Sequence, residues 1–218
     1  MADQGKFVGA ERVNRPRHRA PGGAASGAKA GAHADAGTSA GKANAIPAVG
    51  SAAKVVSLVH GVLPRANREL VLKDAVYSNE KIDTGPNNAA RLIFRDNTVL
   101  SVGANSSVTL DKFVFDPTGG KSQVSLSITK GVMRFVTGNL SKDRYTIRTP
   151  TATMGIRGTV LEITVDDDGT TTTTVIEGAA IIRAGGRTVE VKSGFSSRIR
   201  RGQRATTPKP KAPTPPRF

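Results

Sequence analysis

The sequence predicts an all-β fold. Three observations carry this: apolar residues alternate with polar ones at a period of two, turn-forming residues separate these runs every few positions, and no stretch carries a helix-length amphipathic stripe. With 4% aromatic residues and no tryptophan, the core has to be built from Val, Ile, Leu and Ala, which suits strands better than a large ligand cavity.

The succession opens with Val55, Val56 and Leu58 and passes through Leu70, Leu72 and Val76. Ala90, Leu92 and Phe94 then share one face, with Arg91, Ile93 and Arg95 on the other. Asp96 and Asn97 form a tight turn into residues 99–102, and Val108 and Leu110 continue the pattern. Further turns are expected at Asp116-Pro117 and Gly119-Gly120. In the regular run 125–129, Leu126 and Ile128 point inward. Residues 132–136, Tyr145 with Ile147, Leu161 with Ile163 and Val165, Val175 with Ile176, Ile181 with Ile182, and Val189 with Val191 complete the set.

Two segments, IDTGPNNAARLIFRDNTVL and IRTPTATMGIRGTVLEITV, open alike with Ile, a polar residue, Thr and a turn former. They favour a solenoid-like stack of short strands, with a β-sandwich as the alternative.

The domain organisation follows composition. Residues 1–53 are a Gly/Ala/basic leader with too little apolar surface to offset the entropy of ordering, and are expected to be disordered. Residues 54–197 form the β domain. Residues 198–218 combine cations with proline and are expected to be a disordered, extended tail. The formal charge of +15 divides unevenly, with +4 on the leader, +4 on the domain and +7 on the tail. Arg198, Arg200, Arg201 and Arg204 lie close enough to act together on an anionic surface. No aromatic residue interleaves with them, so specific nucleic-acid recognition is not expected.

Catalytic and metal chemistry finds little support. There is no cysteine, His18 and His33 sit in the leader, and His60 stands alone beside Gly61 at an expected turn. No nucleophile elbow or phosphate-loop spacing occurs, and neither an enzyme nor a cofactor is expected. The run Asp166, Asp167, Asp168, Gly169 reads as a hairpin turn rather than a calcium loop, because the carboxylates are adjacent and not alternate. No apolar run approaches the ~20 residues of a membrane-spanning helix. Nor do the first 53 residues show the apolar run of a secretory signal.

The most informative stretch is 145–159, YTIRTPTATMGIRGT. Pro150 holds Thr149 extended and withholds an amide donor, which predicts a turn or sheet edge. Gly155 and Gly158 bracket Ile156 and Arg157, and glycines so spaced permit a tight corner. Ile156 is expected to point inward, and Arg157 to reach Glu162 or Glu177 or to face a ligand. Candidate binding residues are Thr149, Pro150, Thr153, Gly155, Ile156, Arg157, Gly158 and Thr159.

With ELVLKDAVYSNEKIDTGPNNAARLIFRDNTVLSVGANSSVTLDKFVFDP, LSITKGVMRFVTGNL and VIEGAAII in order around it, this stretch resembles the FecR family, over about residues 53–197. The resemblance implies an extracytoplasmic, non-catalytic β domain that senses a signal or contacts a protein or envelope glycan. The iron-uptake members add a sigma-factor-holding segment with tryptophan, a membrane helix and a C-terminal extension. This chain shows none of these, so it is more similar to stand-alone members, expected in the periplasm. A scaffold that recruits partners through its basic tails, and a weak binder of nucleic acid or another anionic surface, are the other readings.

Overall fold

Period-two alternation becomes real pairing only where each strand finds a neighbour, and the computed structural model shows those neighbours for residues 46–114, 122–141 and 143–211. The leader up to residue 45, the expected turns at 116–120 and the end from 212 lie outside the described residues. Among the described residues there is strand and turn but no helix, as the alternation predicts. Among the described residues no helix is long and apolar enough to cross a membrane.

Fifteen strands form one hydrogen-bonded sheet. They are β1 (Ala48–Val56), β2 (Val59–Leu63), β3 (Ala66–Glu69), β4 (Ala75–Tyr77), β5 (Lys81–Thr84), β6 (Ala89–Phe94), β7 (Val99–Val102) and β8 (Ser107–Val114). Then follow β9 (Gln123–Val136), β10 (Tyr145–Arg148), β11 (Thr153–Val165), β12 (Thr171–Ala184), β13 (Arg187–Lys192), β14 (Phe195–Ile199) and β15 (Lys209–Pro210).

Three long strands change partners half-way. β9 pairs with β8 and, in parallel, with β10 over its first half, then with β7 and β11 over its second. β11 begins beside β10 and ends beside β9. β12 begins beside β14 and ends beside β13. The sheet therefore has two leaves joined through these strands. One leaf contains β2, β3, β5, β8, β10 and β13, and the other contains β1, β4, β6, β7, β14 and β15.

The leaves face each other. Phe94 on β6 stacks on Phe113 of β8 with ring centroids 5.2 Å apart, although those strands are not neighbours in the sheet. Thr151, before β11, meets Thr171 at the start of β12, hydroxyl to hydroxyl at 2.7 Å. The Thr173 hydroxyl reaches the Met154 sulfur at 3.2 Å. In a straight β11–β12 hairpin, with Thr171 opposite Val165 and Thr173 opposite Ile163, these pairs would stand roughly 46 Å and 30 Å apart, at 3.3 Å per residue. The hairpin is doubled over, and one apolar core fills the space between its halves.

Glycines make the crease. Gly158 on β11 and Gly178 on β12 both have positive φ, +56° and +77°. A Cβ on Gly178 would fall on the Gly158 carbonyl oxygen. β9 bends at Gly131, φ +98°, where a Cβ would strike Ser106. The all-β fold is as expected, built as one continuous sheet whose leaves face one another.

Two boundaries differ from expectation. β1 starts at Ala48, inside the expected leader, because the small residues of AVGSAAKVV let it fit between β4 and β6: a Cβ on Gly50 would meet the Ile93 carbonyl. At the other end, Ile199 and Ala205 are buried and the chain stays on the sheet to Lys211. The Ala205 amide donates to the Ala184 carbonyl at 3.1 Å and the Lys211 amide to the Gly194 carbonyl at 2.8 Å. His60, expected at a turn, lies within β2.

Elsewhere a buried carboxylate organises the small β2–β3 hairpin. Glu80 accepts from Arg68 Nε at 3.0 Å and Nη2 at 2.8 Å, and from the Tyr77 amide at 2.8 Å. Gly61 leaves the room that this carboxylate occupies.

Gly178→Ala is expected to lower the unfolding free energy by roughly 3 kcal/mol, combining strain at positive φ with a backbone clash. Gly155→Ala, where nothing lies within 4 Å of an added Cβ, is expected to be neutral or to stabilise by about 0.5 kcal/mol. Urea unfolding of the two variants beside the parent chain measures the difference.

Candidate binding surface

The stretch 145–159 begins with a buried aromatic residue that carries a polar tip. Tyr145 is 1% exposed, and its ring meets Phe135 edge-on at 5.8 Å. Its hydroxyl donates to Asp96 Oδ2 at 2.8 Å and accepts from the Leu140 amide at 3.1 Å. The same carboxylate, itself 1% exposed, takes the Thr98 hydroxyl at 2.6 Å and the Thr98 amide at 3.0 Å. Asn97, with φ +65°, completes the expected tight turn. This network ties the β6–β7 turn to the head of β10 across the two leaves. Burial pushes the Tyr145 phenol above its ordinary value of 10.0; the Thr98 hydrogen bond opposes this and the Asp96 carboxylate reinforces it.

Next comes the turn that Pro150 predicts. The Thr149 amide donates to the Ala152 carbonyl at 2.9 Å and the Ala152 amide to the Thr149 hydroxyl at 3.1 Å. Thr171 closes the group with a 2.9 Å bond to Thr149.

Along β11, Met154 and Ile156 face the core, while Thr153, Gly155 and Arg157 face out. Ile156 thus points inward as expected. Arg157 reaches neither glutamate, because its side chain is exposed and makes no hydrogen bond or ion pair among the described residues. Glu162 is engaged instead by Arg134 at 3.7 Å and Lys211 at 3.4 Å. The tight corner also moves. Gly155 is not among the residues of positive φ, and Gly158 pairs its corner with Gly178, a residue outside the stretch. Thr159 is buried at that corner, donating from its hydroxyl to the Ala179 carbonyl at 2.9 Å and from its amide to the Thr137 hydroxyl at 2.9 Å.

The outward face is flat around Gly155. Register places Thr146 on one side of it and Ile181 on the other, with Arg148 and Arg183 flanking Thr153 one step along. Arg148 is held by Ser125 at 2.7 Å and Asp111 at 3.8 Å. Arg183, like Arg157, is exposed and unpaired among the described residues.

The basic run lies at the end of the doubled hairpin where the Pro150 turn arrives. A Cβ on Gly169 would sit 3.3 Å from Pro150 Cβ and 3.2 Å from Arg201 Nη2. Arg198 pairs with Asp166 at 3.1 Å. The Asp166 to Gly169 run is the expected hairpin turn, closed by the Gly169 amide on the Asp166 carbonyl at 2.8 Å. The Asp168 carboxyl lies below the usual range, chiefly through the Thr170 amide and hydroxyl and then through Arg198 and Arg200. Arg204 lies apart from Arg201, its backbone against Gly185. Among the described residues no group of three or more His, Cys, Asp or Glu side chains is gathered as a metal would require.

Gly178 is a structural residue that sequence reasoning did not single out. The turn-forming Asp96-Asn97 pair was visible, but nothing in it announces a partner at Tyr145, 49 residues away.

The FecR protein family profile matches residues 80–180, from buried Glu80 through the crease to Ala180. This segment, just under half of the chain, is similar to FecR domains. All of 145–159 falls inside it, whereas the basic run 198–204 lies beyond it. No curated protein matches the chain. Two crystal structures of a candidate anti-sigma factor from Parabacteroides distasonis are similar in fold. One, at 2.50 Å resolution, aligns with a TM-score of 0.50 and 12% identity, and the other, at 1.65 Å, with 0.48 and 13%. Each match covers 60% of this chain and 59% of that one.

Tyr145→Phe is expected to cost about 1–3 kcal/mol at neutral pH, because the buried Asp96 carboxylate loses a donor. The folded protein holds the phenol proton more tightly than the unfolded chain does. That contribution is whole below the ordinary tyrosine value and is lost as pH rises through the raised one. Denaturant midpoints should therefore fall more steeply in alkali for the parent than for Tyr145→Phe.

Proposed function

We propose that the chain is a non-catalytic sensing module of the bacterial envelope, and that it docks a protein partner on the outward face of β10, β11 and β12. The observation that carries this is the exposed half of the FecR stretch. Its inward residues are accounted for by the core, but Thr153, Gly155 and Arg157 serve no packing role. A flat patch of small side chains rimmed by unneutralised arginines suits a protein surface of opposite charge. Similarity to FecR domains and a fold shared with a candidate anti-sigma factor support a regulatory role over an enzymatic one, and support the envelope placement.

A photoreactive residue replacing Arg157 should give a discrete cross-linked species in cells. Gly155→Trp should abolish it while changing the unfolding free energy by no more than about 0.5 kcal/mol, as surface substitutions do. The same cross-linker replacing Arg95, exposed in the turn after β6, is the control. Identical adducts from both positions, or recovery of the tagged protein from the cytosol alone, would contradict the proposal.

A further inference from the structure

The segment read as a free tail instead builds the wall of a groove. After β14 the chain turns at Gly202, φ +75°, with the Gln203 amide on the Arg200 carbonyl at 3.0 Å, and then returns alongside to β15. The Thr206 hydroxyl donates to the Arg198 carbonyl at 3.0 Å, and buried Ala205 anchors the return. Between strand and return lies a groove of about 300 Å³ lined by Ser196, Arg198, Arg200, Gln203, Thr207 and Lys209, with Thr206 at its base. These walls are held by backbone bonds, so the cationic heads converge on a fixed cleft and not on a wandering tail.

We propose that this groove binds a flexible chain of phosphate groups. Charge counting favours phosphate over a single carboxylate. Of three cations in the lining, Arg198 alone forms an ion pair among the described residues, with Asp166; Arg198 and Arg200 also act on the nearby Asp168 carboxyl, and Lys209 lies free of both. Arg200 and Lys209 make no ion pair among the described residues. From residue 187 to 211 the chain carries eight basic residues and one acid, Glu190. Each internal unit of such a chain brings one negative charge and two free acceptor oxygens, repeated unit after unit, which the guanidinium forks and the Gln203 and Thr207 side chains can meet together. The lining holds no aromatic residue to stack a base and no apolar one to enter a bilayer. The groove lies beyond the FecR segment and apart from the docking face above, so either proposal can fail without the other.

Titration with linear inorganic polyphosphate tests it. The full chain should bind saturably. Arg200→Ser with Lys209→Ser should weaken binding about tenfold and reduce the salt slope by about two, one for each contact removed. Arg91→Ser with Arg95→Ser, the same charge change at exposed residues on β6 and in the turn after it, should weaken it less than about twofold if the groove and not net charge is responsible. Circular dichroism confirms that both variants fold. Equal weakening by the two pairs would overturn the proposal. So would tighter binding to phosphatidylglycerol vesicles or to a single-stranded oligonucleotide than to polyphosphate.

Discussion

Gly158 and Gly178 touch backbone to backbone, and the rest of the molecule follows from that contact. A β11–β12 hairpin of thirteen and fourteen residues would, if straight, expose one apolar face of Met154, Ile156, Leu161, Ile163, Val175 and Ile182. Creased at the glycine pair, it buries that face against itself and makes both walls of the core. Right-handed β twist alone does not bring the two ends of a long hairpin together; a residue without a Cβ at positive φ does. The crease also decides which surfaces meet, carrying the Pro150 turn onto Thr171 and so to the end where Arg198 and Arg201 project.

Once the leaves face each other, polar ties fix their alignment. The Asp96 carboxylate is buried without a cation, yet it receives donors from Thr98 and Tyr145 on opposite leaves. A buried carboxylate so satisfied tolerates no slippage, since moving either leaf by one residue would strand it. Glu80 does the same near the β2–β3 hairpin, with Arg68 supplying the opposite charge. Both carboxylates lie within the FecR segment. Much of that segment's character is therefore structural, and its outward positions are what remains for recognition.

Individual strands were legible in the sequence, and their joining was not. The alternation at Ala90, Leu92 and Phe94, the inward Leu126 and Ile128, and the Asp96-Asn97 turn all appear as expected. The runs 125–129 and 132–136 read as two elements, as do Val175 with Ile176 and Ile181 with Ile182. Each pair is one strand, β9 or β12, bent at Gly131 or Gly178. A glycine between two alternating runs looks the same whether the chain reverses or merely bends, because only a distant neighbour distinguishes the two. The likeness of IDTG and IRTP does not extend to strand pairing, for a related reason. β5 and β6 do not pair with each other, whereas β10 and β11 do. The basic, proline-containing run hid its own docking, since Ile199 and Ala205 supply little apolar surface and backbone bonds do the rest. Arg157 does not meet the glutamate expected for it, because Glu162 is held by Arg134 and Lys211 from elements far away in sequence.

The crease can be tested covalently, since the chain has no cysteine to interfere. Thr151→Cys with Thr171→Cys places two thiols where the parent hydroxyls are 2.7 Å apart. The doubled hairpin predicts rapid, near-complete intramolecular disulfide formation in the folded protein under mild oxidation, and none when the same protein is oxidised in denaturant at low concentration. Free thiols in the folded state would show that the ends of the hairpin stand apart, and the account of the fold built on Gly158 and Gly178 would then be wrong.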